Sequence, residues 1–211
     1  DPELVGNGTR FLVSEMSGRS TIELKANQLG IHLDGEVLGE IVETLKELEY
    51  AGYHFEAADA SLELLMRAAS GWVHDYFTLE SFSVNVGHRS GSGSRAWNDV
   101  AVQVETEATV KVHVGGERVV ATGEGNGPVN ALDAALRKVL TVIYPQLEDL
   151  RLVDYKVRIL TPGDGTGAVT RVMIESVANN GDHWSTVGVS ANIIDASYNA
   201  LRDSIIFKLH R

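Results

Sequence analysis

The sequence predicts an α+β protein: an N-terminal helical section followed by a pseudo-symmetric pair of β-β-β-α units. Three observations carry this. The apolar spacing has a helical period before about residue 75 and a period of 2 after it. A strand–strand–strand–helix order then occurs twice. A shift of about 65 residues superimposes the two copies at one strand-to-helix junction, setting Gly123 on Gly188, Ala131 on Ala196, Ala135 on Ala200 and Leu136 on Leu201.

Each element has its own justification. Asp34 is a helix cap, and Val37, Leu38, Ile41, Val42, Leu45 and Leu48 follow it at helical spacing. Gly52 interrupts, and Ala58, Leu62, Leu65, Met66 and Ala69 mark the next helix, which Gly71 closes. Residues 1–75 therefore form a helical section and residues 76–211 a second domain, with repeats at about 76–145 and 146–211. Phe77 to Val86 is a strand, and Ser90-Gly91-Ser92-Gly93-Ser94 is a flexible loop. Val100, Val102, Val104, Thr106, Ala108, Val110, Val112 and Val114 alternate with Ala101, Gln103, Glu105, Glu107, Thr109, Lys111 and His113, the pattern of a strand buried on one face. Gly115-Gly116 is a hairpin turn, with Arg118 to Thr122 returning from it. A helix opens at Pro128, carries Val129, Leu132, Leu136, Val139, Leu140 and Ile143 on one stripe, and ends at Tyr144-Pro145. In the second copy, strands run from Leu152 to Leu160, Ala168 to Val177 and His183 to Val189, with Thr161 to Gly167 a loop and Asn180-Gly181 a hairpin. The last helix carries Ile194, Tyr198, Leu201, Ile205 and Leu209. A three-stranded sheet with one helix leaves an apolar face uncovered, so the units should pack on each other or on a second chain.

Composition narrows the function. The 211 residues carry 18 Lys+Arg against 29 Asp+Glu, a net charge of −11, and no cysteine. Disulfides, thiolate nucleophiles and cysteine metal sites are excluded. An acidic chain without a basic stripe argues against nucleic acid, and no apolar run reaches membrane-spanning length. A cytoplasmic protein that handles a small molecule or another protein is the expectation.

The search for chemistry finds little. His32, His54, His74, His88, His113, His183 and His210 are scattered, with no metal-ligand spacing. Ser14 and Ser17 lack a nucleophile elbow, and Glu15 with Arg19 reads as a structural ion pair. Glu40, Glu43, Glu47, Glu49, Glu56, Asp59 and Glu63 read as a solvated helix face. Two glycine-bearing segments remain, Gly123 to Asn130 at a strand-to-helix junction and Gly163 to Gly167 between strands. Glycine admits close approach of a ligand, and a helix N-terminus offers free N–H groups to an anion. Neither segment has the lysine and hydroxyl of a P-loop, and tight turns are the alternative for both.

These residues also carry a resemblance. Gly125-Asn126-Gly127-Pro128-Val129-Asn130-Ala131-Leu132-Asp133, after a Gly-Gly hairpin, resembles the C-terminal allosteric domain of the 2-isopropylmalate synthase and citramalate synthase family. Thr161-Pro162-Gly163, Gly167 to Val172 and Val187 to Ser197 fit the same domain. Ser14 to Ser20 and Glu49 to Ala58 resemble the linker of the citramalate-type branch, and the likeness spans essentially the whole chain. Many relatives have a histidine where this chain has Met16, so catalytic roles of that linker do not carry over.

The resemblance implies regulation rather than catalysis. In the family a metal-dependent barrel condenses acetyl-CoA with a 2-oxo acid, and this chain is too short to hold that barrel as well. No catalytic residue, metal or cofactor is expected here, the divalent metal and acetyl-CoA belonging to the missing barrel of an acyltransferase. The family's domain dimerises and binds the end-product amino acid between its two repeats for feedback inhibition. Isoleucine is favoured as effector and leucine is the alternative; a dimerisation domain without an effector is the competing function. Carried over, the effector site comprises Gly125, Asn126, Gly127, Val129 and Asn130 as a glycine-rich wall, and Leu152, Tyr155, Ile159, Val169 and Ile193 as an aliphatic pocket. Strand alternation sets Tyr155 and Ile159 on one face and Leu152 on the other, a conflict that only a bulge or end-of-strand twist would reconcile.

Overall fold

The structure, a computed structural model, describes residues 19–89 and 103–211, and the side chains of 19–87 and 105–211. Ser14 to Gly18, the Ser90 to Ser94 loop and the start of the second strand at Val100 lie outside the described residues. The element order is α1 (Arg19–Gln28), α2 (Gly35–Tyr50), α3 (Asp59–Ala69), β1 (Phe77–Arg89), β2 (Gln103–Val114), β3 (Glu117–Gly125), α4 (Pro128–Ile143), β4 (Arg151–Ile159), β5 (Thr170–Val177), β6 (His183–Ser190) and α5 (Ile193–His210). Two three-stranded sheets form, in the orders β1-β2-β3 and β4-β5-β6, each followed by a helix. This is the expected α+β architecture with its two β-β-β-α repeats.

The chain divides into two compact units. Among the described residues, one comprises 74–89, 103–151, 177–182 and 208–211 and contains the first repeat. Here β2 pairs antiparallel with β1 and with β3, and Val110 sits opposite both Phe82 and Ala121. Gly115 and Gly116 both adopt positive φ (59° and 82°), which a two-residue hairpin of matching twist requires. The alternation anticipated for β2 is realised: Thr106, Ala108, Val110, Val112 and Val114 are buried, as are Leu132, Leu136, Val139 and Leu140 of α4. The helix approaches β3 closely because Gly123 has no side chain. A Cβ there would overlap the Ala135 nitrogen and come within 2.7 Å of the Ala131 carbonyl oxygen.

Among the described residues, the other unit comprises 19–73, 152–176 and 183–207. Helix α5 lies on the β4-β5-β6 sheet through the same device, since a Cβ on Gly188 would overlap the Ala196 carbonyl oxygen and reach 3.0 Å from the Ala200 nitrogen. The repeat identities thus have a physical cause: glycine on the strand and alanines on the helix let backbone meet backbone. The interior of this repeat is more polar. Ser176, Thr186, Ser197 and Ser204 are at most 1% exposed. Their hydroxyls are all bonded, Thr186 to the Ala200 carbonyl at 2.8 Å and Ser204 to Ser176 at 2.7 Å, while the Trp184 indole donates to Ser204 at 3.1 Å.

The helical section packs in this same unit, where Ile22, Leu38, Ile41, Leu45, Phe55, Leu62 and Met66 share a core with Val187. Asp34 caps α2 by accepting from the Glu36 and Val37 amides at 3.1 and 3.0 Å. Helix α1 has no sequence expectation behind it: its only buried residues are Ile22 and Ala26, too few to make a visible stripe. The Arg19 guanidinium donates to the Gly35 carbonyl. The acidic residues of α3 depart from the expected solvated face. Glu63 is 2% exposed and receives two bonds from Arg67, at 2.8 and 2.7 Å. Asp59 accepts the Ser185 amide at 3.0 Å and Ser61 accepts the Val187 amide at 3.1 Å. Two side chains of the helical section therefore satisfy outward donors of edge strand β6, where a fourth strand would otherwise bind.

Candidate functional site

The glycine-rich wall belongs to the unit of the first repeat. Gly125 ends β3, and a Cβ there would come within 2.5 Å of both the Ala131 nitrogen and the Asn130 side-chain oxygen, so the turn is tight by necessity. Asn130 folds back to accept the Asn126 amide at 3.1 Å. Helix α4 starts with Gly127 at its N-cap and Pro128 behind it, and no side chain caps it. The first-turn N–H groups of Val129 and Asn130 have no intrahelical acceptor, and they give this end a partial positive charge suited to a carboxylate. Gly125, Asn126, Gly127, Val129 and Asn130 thus form one continuous surface, with Asn126 and Asn130 exposed.

The second group lies in the other unit. Tyr155 and Ile159 share one face of β4, and the Tyr155 hydroxyl meets the Ser197 hydroxyl of α5 at 2.8 Å, which places that face on the α5 side. Ile193 opens α5 and is 42% exposed. The fold thus gathers Tyr155, Ile159 and Ile193. Leu152 is half-buried, and the exposed–buried alternation runs unbroken from Arg151 to Tyr155, so Leu152 points to the opposite face. Val169 is half-buried just before β5; its amide donates to Thr161 Oγ1 at 2.9 Å, and its carbonyl accepts the Leu160 amide at 2.8 Å. The Gly163 to Gly167 loop is exposed and folds into 3-10 turns.

Helix α5 is capped where α4 is not. Asn192 Oδ1 accepts the Ile194 amide at 2.9 Å, and Ser190 Oγ accepts the Asn192 amide at 3.0 Å. The sequence Ser190-Ala191-Asn192 before an apolar run is an N-terminal signal that could have revealed this. Ser197 is a further residue that sequence reasoning missed. A serine among apolar helix positions carries no signal of its own, and only the packed structure shows its contact with Tyr155.

The acid–base character around this site is muted. Burial pushes the Tyr198 phenol up to about 12, so it stays neutral at physiological pH. Among the described residues no group of three or more His, Asp or Glu is placed to hold a metal ion, and no helix is long and apolar enough to cross a membrane. The α4 turn, in one unit, presents free backbone N–H groups, and β4, in the other, an exposed apolar row.

Residues 56–208 match the LeuA allosteric (dimerisation) domain. The chain is 53% identical to the (R)-citramalate synthase of Streptomyces coelicolor, over 100% of its own length and 38% of the relative's. With the (R)-citramalate synthase of Geobacter sulfurreducens it shares 48% identity over the same fractions of the two chains. With the 2-isopropylmalate synthase of Aquifex aeolicus the identity is 31%, covering 97% of this chain and 35% of that one. The chain therefore spans little more than a third of the length of these curated relatives.

Proposed function

This chain belongs to the LeuA allosteric (dimerisation) domain family, and on that premise we propose that it senses an aliphatic amino acid and pairs with a second copy of itself. It would serve as the regulatory part of a longer enzyme that condenses acetyl-CoA with a 2-oxo acid in branched-chain amino acid biosynthesis. In that enzyme residues 1–75 are the linker toward the catalytic barrel and residues 76–211 the regulatory domain.

One observation carries the reading. Val153, Tyr155, Val157 and Ile159 form an apolar row along edge strand β4 and remain 51, 39, 42 and 56% exposed. A row of that kind on one strand face fits an aliphatic side chain or a partner surface. The uncapped α4 turn, in the other unit, has by itself free N–H groups that suit a carboxylate. Isoleucine is the favoured effector, because Ser14 to Ser20 and Glu49 to Ala58 resemble the linker of the citramalate-type branch. Feedback follows if the effector binds one arrangement of the enzyme more tightly than another, since it can shift the balance only by that difference in affinity. The same apolar row also suits a dimer interface without any effector, which is the second reading.

Calorimetric titration with isoleucine and leucine, beside a mass measurement, tests this. We expect a dimer with saturable binding that prefers isoleucine, weakened about 10-fold or more in Tyr155→Ala, which removes most of a buried aromatic contact. A folded dimer that binds neither amino acid would leave only the interface.

A further inference from the structure

We propose that Ser197 is a positioning residue of the effector site, fixing the Tyr155 ring by accepting a hydrogen bond from its phenol; this rests on the amino-acid-sensing reading above. Ser197 is fully buried on α5, and a serine hydroxyl has one proton to give. That proton goes to the Ile193 carbonyl, whose oxygen lies 2.6 Å from Ser197 Oγ. The 2.8 Å contact between the Ser197 and Tyr155 hydroxyls must then run the other way, with the phenol donating and Ser197 Oγ accepting.

Two consequences follow for a ligand on this face. The Tyr155 ring, 39% exposed on an edge strand, is pinned against the first turn of α5 beside Ile193, so its rotamer is chosen before anything binds. The phenolic proton is already committed. What Tyr155 offers is its ring and an accepting oxygen, with no donor for a ligand's carboxylate. The residue therefore presents an aliphatic side chain with a surface that rewards apolar contact alone, and any carboxylate must find its donors elsewhere. Pre-organisation of this sort raises affinity without adding a contact.

A double-mutant cycle on the full chain tests the assignment, using isoleucine as the probe in calorimetry and the Tyr155 ring carbons, isotopically labelled, as a spectroscopic readout. Tyr155→Phe keeps the ring and the exposed position, and Ser197→Ala removes the acceptor. Each single change is expected to weaken isoleucine binding by about 3- to 10-fold, the usual worth of one hydrogen bond, and the double variant to be no weaker than either. Ser197→Ala should also shift and broaden or sharpen the Tyr155 ring signals in the absence of any amino acid. If wild type binds isoleucine and Tyr155→Phe binds it equally well, or if the two effects simply multiply, Ser197 does not position Tyr155 and the inference falls while the sensing function stands. If wild type binds no branched-chain amino acid, the sensing reading itself fails and takes this one with it. Because Tyr155→Phe keeps the ring and removes only the phenolic oxygen, it keeps the test decisive even where Ser197→Ala lowers stability.

Discussion

The two β-β-β-α repeats share a frame and differ in what fills it. Both bring helix to sheet through a strand glycine facing two helix alanines, Gly123 with Ala131 and Ala135, and Gly188 with Ala196 and Ala200. Behind that seam the first repeat is sealed by Ala108, Val110 and Val112 against Leu132, Leu136 and Leu140, all fully buried. The second instead buries four hydroxyl side chains that bond to one another, to backbone or to Trp184 and Tyr155. Their helix ends differ in the opposite sense, since α5 is capped by Asn192 and α4 is left bare at Gly127. A repeated frame can thus be kept while one copy exposes backbone donors at a helix start and the other orients side chains from its interior.

The largest test breaks the shared frame. Gly188→Ala and Gly123→Ala each push a methyl into backbone that cannot rotate away, and each should cost about 3 kcal/mol or more in urea unfolding, at the upper end of overpacking effects. A loss under about 1 kcal/mol at either site would mean that the seam yields there and that the repeats do not share it. The next separates the two interiors. Ser204→Ala leaves the Trp184 indole N–H without its acceptor and should cost about 1–3 kcal/mol, with a change in Trp184 fluorescence, whereas a merely apolar interior would tolerate it.

A third test exchanges the helix ends. Asn192→Ala should destabilise by about 1 kcal/mol. Gly127→Asp, at an extended φ of −172° with open space around it, should stabilise by a few tenths of a kcal/mol by capping α4. If the α4 turn belongs to the proposed effector site, the added carboxylate occupies its N–H groups and isoleucine affinity falls in calorimetry; unchanged affinity would remove the turn from that proposal. The smallest effect is a matter of pH and is read at Glu80 in the first repeat. Arg118 grips Glu80 at 2.5 and 2.9 Å and His113 lies 3.3 Å away, which holds the Glu80 carboxyl down at about 2 from an ordinary 4.5. A depressed carboxyl contributes stability above its unfolded value and loses it as the pH falls toward 2. Glu80→Gln should therefore lower the melting temperature slightly at pH 6 and not at pH 2. An equal difference at both pH values would assign the effect to packing.

Much of this was legible in the residues. The period of β2, the α4 stripe, the Asp34 cap and the Gly-Gly turn each need only local chemistry, so they stand in the sequence as they stand in the fold. The repeat was visible for a physical reason, because only glycine permits the close approach that Gly123 and Gly188 make. The burial of Glu63 and the engagement of Asp59 were not legible, since an acidic residue on a helix looks solvated until its partner, Arg67 or the Ser185 amide, is placed beside it. Residues 59 and 185 lie far apart in the chain and no local pattern links them.

The sequence by itself determined the fold class, the order of elements from α2 onward, the repeated seam and the family resemblance, because all of these rest on spacing along the chain. Tertiary structure decided the rest. It set the side chains of Asp59 and Ser61 along the free edge of β6 and joined the Tyr155 phenol to Ser197. Those outcomes depend on hydrogen-bond donors and acceptors brought together from distant segments, and a donor carries no mark in the sequence of the acceptor it will find.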